Sequence, residues 1–127
     1  MTMRAFFLVF IGGGLGSVVR YATVLALTRW LPVSRFPWGI FVVNIVGSFV
    51  LGWLLALPLA KNLDNTTWLL AATGFLGGYT TFSTLSANTL LLLQDGNTLL
   101  ALLNGFGSVL IGVIAAALGW QCARLVG

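Results

Sequence analysis

Four apolar runs, separated by short polar connections, leave this chain few ways to fold. A bilayer core asks for ~20 predominantly apolar residues per helix. Residues 5–28, 38–59, 67–93 and 98–125 each meet that length. Only 6% of the chain is charged, against about a quarter in a soluble domain. The predicted fold is an all-α membrane protein: four transmembrane helices in a single domain over residues 1–127. The connections carry turn chemistry. Pro32, Ser34 and Pro37 punctuate the first, and Pro37 suits a helix start. Asn62, Asp64 and Asn65 mark the second, with Asn65 or Thr66 placed to cap the third helix. Asp95-Gly96-Asn97-Thr98 makes a tight turn. Trp30, Trp38, Trp68 and Trp120 fall near predicted helix ends, where interfacial tryptophans belong. The apolar run from Ala5 is too long for a signal-peptide core and continues to Arg20, so no cleaved signal is expected.

The third run differs from the others. From Gly74 it reads Gly-Phe-Leu-Gly-Gly-Tyr-Thr-Thr-Phe-Ser-Thr-Leu-Ser-Ala-Asn, ending at Asn88. Thr80, Thr81, Ser83, Thr84 and Ser86 point nearly all the way round a helix that turns ~100° per residue. Unpaired polar groups are expensive in lipid. This segment therefore belongs at the centre of an assembly or along a wet path. Gly77-Gly78 is the expected site of a break in helix three, because glycine tolerates unusual dihedrals and weakens a helix.

Absences narrow the function. There is no histidine, and the two carboxylates, Asp64 and Asp95, lie in turns. No intramembrane carboxylate or imidazole is available to relay protons. No acid–base pair, metal cluster or activated nucleophile appears, so an enzyme is not expected. The net charge of +4 is spread over the connections and suggests no nucleic-acid surface. The single Cys122 reads as a small apolar helix residue.

Gly12 and Gly16, Gly13 and Ser17, Ser48 and Gly52, and Ser108 and Gly112 are each spaced for close helix packing. Gly12-Gly13-Gly14-x-Gly16 lacks the strand and lysine of a phosphate loop. Four spans put Arg4, Lys61 and Arg124 on one side, with Arg29, Arg35 and the deeper Arg20 toward the other. So even a balance gives the positive-inside rule little to select on, and insertion in both orientations is expected. With a polar helix three to bury, this favours an antiparallel homodimer.

Asn44, Asn88 and Asn104 lie within predicted helices, where an amide serves equally as interhelical glue or as a pore group. Arg20 lies about 13 Å along the helix from Arg29 at ~1.5 Å per residue, and a water-filled vestibule suits it better than lipid. At the break, unwound carbonyls would suit a hard cation such as Na⁺, and resuming N–H groups an anion. The ring edge of Phe82 can touch a dehydrated anion, although an aromatic here is more often core.

The run Gly74-Phe75-Leu76-Gly77-Gly78-Tyr79-Thr80-Thr81-Phe82-Ser83-Thr84 closely resembles the signature of the Fluc/CrcB family of fluoride channels. The glycines leading to Arg20, Pro37-Trp38-Gly39 and Val43-Asn44-Ile45-Val46-Gly47 agree with it. The resemblance implies a dual-topology, antiparallel homodimer in the bacterial cytoplasmic (inner) membrane. It would hold two pores that pass fluoride passively out of the cell and protect against fluoride toxicity. It also implies a structural Na⁺ at the dimer interface on the backbone carbonyls of Gly77 and Thr80. The implied fluoride path comprises Asn44, Phe82, Ser83, Thr84, Leu85, Ser86 and Asn104, with Arg20 at the vestibule. Two departures stand out. Leu85 replaces a second phenylalanine, removing one ring-edge contact per pore. Asn88 replaces a glutamate.

Rival readings are a small dual-topology multidrug or cation exporter, a structural subunit, and a poorly conducting channel subunit that needs a partner. The exporter normally depends on a carboxylate in its first helix, and no span here contains one. A structural subunit leaves the hydroxyl concentration unexplained.

Overall fold

A computed structural model describes residues 2–31 and 33–126. It is helical throughout its ordered elements. Helix α1 spans Met3–Trp30, α2 Trp38–Ala56, α3 Gly77–Tyr79, α4 Phe82–Gln94 and α5 Thr98–Val126. A short 3₁₀ turn occupies Pro58–Lys61, and a π-helical segment, Trp68–Leu76, precedes α3. Three helices, α1, α2 and α5, are each long and apolar enough to cross a membrane. The expected third span is assembled from pieces: the π-helical segment, α3 and α4.

Local chemistry explains the boundaries. α2 stops at Ala56, short of the expected Leu59, because Leu57 turns extended (ψ 151°) ahead of Pro58. Proline has no N–H with which to continue the ladder. Asn65 caps the third span as expected: its Oδ1 accepts the Thr67 N–H at 2.9 Å and the Trp68 N–H at 3.4 Å. α4 ends where Gly96 takes φ +74°. The Gly96 N–H then reaches the Leu93 carbonyl at 3.0 Å, and the Asn97 N–H reaches Leu92 at 2.8 Å. This is the Schellman arrangement that a left-handed glycine permits.

Small residues set the packing. A side chain on Gly12 would collide with the Leu70 carbonyl, and one on Gly16 with the Phe75 carbonyl. A side chain on Gly78 would collide with the backbone of Gly13. The backbones of α1 and the first half of the third span therefore touch directly, as small-residue interfaces in lipid allow. The same device joins α2 to α5, with Gly52 on Ala116 and Gly119 on Phe49. Trp68, at the start of the third span, packs within the chain at 9% exposure, whereas Trp30 is almost fully exposed.

The interruption of the third span falls at a different place from the one expected. Gly77 is helical (φ −61°, ψ −37°), and Gly78 lies inside α3. The extended residues are Thr80 (φ −83°, ψ 157°) and Thr81 (φ −151°, ψ 119°). Gly78 is needed for close approach to α1, whereas β-branched threonines accept extended backbone readily.

Candidate functional site

The Thr80–Thr81 interruption is held by groups distant in sequence. Asn44 on α2 donates from Nδ2 to the Thr81 carbonyl at 3.2 Å, and its Oδ1 accepts the Thr81 N–H at 2.9 Å. One side-chain amide thus satisfies both polar groups of a backbone unit that leaves the helical ladder. The Thr81 hydroxyl caps α4, accepting the Thr84 N–H at 3.3 Å. It also donates to Thr84 Oγ1 at 3.2 Å and lies 3.2 Å from Ser83 Oγ. Upstream, the Thr80 N–H and hydroxyl both donate to the Leu76 carbonyl, at 3.0 and 2.9 Å. α2 comes close here because it presents Gly47, where a side chain would strike Thr80.

Arg20 is half-buried, and its Nη1 donates to the Thr80 carbonyl at 3.2 Å. The sequence placed it facing a water-filled vestibule; the structure gives it a backbone oxygen at the interruption. Ser17, one turn earlier on α1, donates to the Gly78 carbonyl at 3.4 Å.

A cleft of about 310 Å³ opens beside this junction, bordered by Asn44, Ser48, Thr81, Phe82, Leu85 and Ser108 among others. Phe82 is 78% exposed, and Ser83 and Ser86 are also on the outside. Leu85 points inward at 7% exposure. The structure thus gathers Arg20, Asn44, Thr80, Thr81, Ser83 and Thr84 around one point. Ser86 lies a turn further along α4 and donates to the Phe82 carbonyl at 3.0 Å. Asn104 is set apart on α5 with 0% exposure. Its Nδ2 donates to Thr89 Oγ1 at 2.9 Å and to the Leu85 carbonyl at 3.4 Å.

Two residues of the cleft, Ser48 and Ser108, are marked by the sequence only as packing positions. The Ser108 hydroxyl is buried and has no hydrogen-bond partner among the described residues, as is Asn104 Oδ1. Their four-residue spacing puts both polar groups on one face of α5, a signal visible in the sequence.

The two carbonyls expected to hold Na⁺ can be tested against these bonds. In a continuous helix the Gly77 carbonyl would receive the Thr81 N–H and the Thr80 carbonyl the Thr84 N–H. The first donor goes to Asn44 and the second to the Thr81 hydroxyl. Gly77 therefore has an available carbonyl on an exposed residue, the oxygen chemistry a hard cation prefers. Thr80 keeps one lone pair beside its bond from Arg20. The donor set fits a carbonyl-bound monovalent cation, with the Arg20 charge opposing it at Thr80. No group of three or more His, Cys, Asp or Glu is placed for a metal among the described residues.

A helical membrane protein whose polar centre is an interrupted span defines a narrow class. Within it, residues 7–120 match the family described as CrcB-like protein, Camphor Resistance (CrcB), and the chain belongs to that family. A relative from Gloeobacter violaceus, named fluoride-specific ion channel FluC, is 43% identical over 122 residues, covering 96% of this chain and 98% of its own. Relatives of the same name occur in Thermus thermophilus, 44% identical with 94% of each chain covered, and in Oceanobacillus iheyensis, 41% identical with 95% and 92% covered.

Proposed function

We propose that this chain forms a passive, fluoride-selective channel with no catalytic step. It would work as an antiparallel, dual-topology homodimer in a bacterial cytoplasmic membrane and export fluoride that accumulates in the cell. Neutral HF enters and ionises inside, so the trapped anion needs a conducting way out. The observation that carries this reading is the Thr80–Thr81 interruption: hydroxyls and an exposed Phe82 ring collect there within an otherwise apolar span. Similarity over 94–96% of the chain to relatives named as fluoride channels supports it.

In this mechanism Asn44 fixes the interruption, and the hydroxyls of Ser83, Thr84 and Ser86 replace water around the anion. The electropositive edge of Phe82 faces it, an interaction available to an aromatic and not to Leu85. Phe82 and the outward hydroxyls would be covered by the second copy, since one chain leaves them open to lipid. Na⁺, when bound, would supply fixed positive charge between the copies, held by the Gly77 and Thr80 carbonyls. Asn104 takes the positioning role in this scheme, tying α4 to α5 behind the path.

The test is release of fluoride from liposomes containing purified protein, with chloride release measured in parallel. K⁺ is the internal cation, and valinomycin carries the balancing current. Fast fluoride release with chloride retained is the expected result. Retention of both ions by folded, dimeric protein would contradict the reading.

A further inference from the structure

We propose that Arg35 recruits anions at an outer vestibule that opens onto the Thr84 hydroxyl. This inference rests on the channel reading and adds a site to it. A cleft of about 370 Å³ lies between the end of α1, the connection to α2 and the face of α4. Thr28, Ser34, Arg35, Thr84 and Asn88 supply its polar lining, and no Asp or Glu is among its lining residues. Arg35 is the only charged side chain among the described residues that line it. An adjoining cleft of about 150 Å³ is shared by Arg35, Asn88 and Asp95. Arg35 thus stands between an acid-free space and a second space holding one carboxylate, with the neutral amide of Asn88 bordering both.

The vestibule and the inner cleft are bordered by neighbouring side chains of the same turn. Thr84 lines the outer space, while Thr81 lines the inner one beside Phe82. The Thr81 hydroxyl donates to Thr84 Oγ1 at 3.2 Å, so a single hydrogen-bonded pair stands between the two spaces. Arg20 lines neither cleft, and its guanidinium is engaged by the Thr80 carbonyl. Arg29, on the same side and exposed, lines neither cleft either, so the positive charge placed at the vestibule itself is Arg35. The chemistry recognised is that of a small, hard, monovalent anion. A single exposed charge attracts it over the Debye length, which is about 30 Å at 0.01 M salt and about 3 Å at 1 M.

The experiment measures initial fluoride efflux from proteoliposomes at subsaturating fluoride, at low and high concentrations of a salt with an impermeant anion. Wild type is compared with Arg35→Gln, Arg35→Lys and Asp95→Asn. Arg35→Gln is expected to slow low-salt efflux by about two- to five-fold, the scale of one partly screened charge. Arg35→Lys keeps the wild-type rate, Asp95→Asn raises it, and high salt brings all four together. Equal low-salt rates in wild type and Arg35→Gln would overturn the proposal. So would a loss in Arg35→Gln that persists at high salt and is shared by Arg35→Lys, which marks a structural role. If Arg35→Gln does not fold, a low-salt rate of Asp95→Asn no higher than wild type overturns it. Absence of efflux from wild type itself would count against the channel reading, a separate outcome.

Discussion

The two halves of the third span contrast in what holds them. Residues 68–79 are gripped by backbone: Gly12, Gly13 and Gly16 of α1 lie directly on Leu70, Gly78 and Phe75. Trp68, Ala72, Gly74, Leu76 and Tyr79 are buried there. Residues 82–94 bury only Leu85 and Leu92 and leave Phe82, Ser83 and Ser86 uncovered. One half is a packed anchor within the chain. The other is presented outward, and the hydrogen-bonded turn at Thr80–Thr81 lets the two be treated differently. A span that is completely satisfied within one chain has no need of another, whereas this one is left half finished.

The contrast can be broken from either side. The largest effect is expected at Gly16→Leu, since the added atoms meet the Phe75 carbonyl and not a movable side chain. Overpacking of that kind costs about 3 kcal/mol or more. Loss of folded protein in detergent, read by size-exclusion chromatography, checks it; Gly14→Ala, where nothing lies within 4 Å, is the matched control and should behave as wild type.

Next comes Phe82→Ile in the outward half, expected to abolish or sharply reduce fluoride efflux while the dimer still assembles. Normal flux would remove the ring edge from the mechanism. Asn44→Ala joins the two halves in a single test. It strips both hydrogen bonds from Thr81, for a loss of about 1–3 kcal/mol. Thermal unfolding should move down together with flux, and unchanged stability would show that the interruption holds itself. The smallest effect is expected at Leu85→Phe. Leu85 is buried but borders clefts on both sides. A ring has space there, so flux is preserved or raised. A folded but silent variant would show that packing has been rebuilt around leucine.

Much of this fold is legible in the sequence. Hydropathy and turn residues located the four runs, and Asn65 was readable as a cap because its spacing to the helix start is local. The interruption lay three residues further on than the glycines suggested. Gly77-Gly78 reads as weakness in a one-dimensional scan, yet Gly78 serves contact with α1, which only the tertiary structure reveals. The bonds that permit the extended threonines come from Asn44, 37 residues away. Charge is legible only in part, for the same reason. Depth along α1 singled out Arg20, but depth does not say what a side chain faces. Arg35, which the sequence places only on one side of the membrane, lines two clefts.

In the proposed antiparallel pair, the unfinished half is completed by a second copy inserted the other way up. The most direct test is labelling of Asn62→Cys, in a Cys122→Ala background, with a membrane-impermeant thiol reagent in intact spheroplasts. Asn62 is exposed in the connection before the third span. About half of the copies should label from outside, and all of them after permeabilisation, if positive-inside bias is absent. Labelling of every copy or of none before permeabilisation would mean one orientation, and would contradict the antiparallel pair.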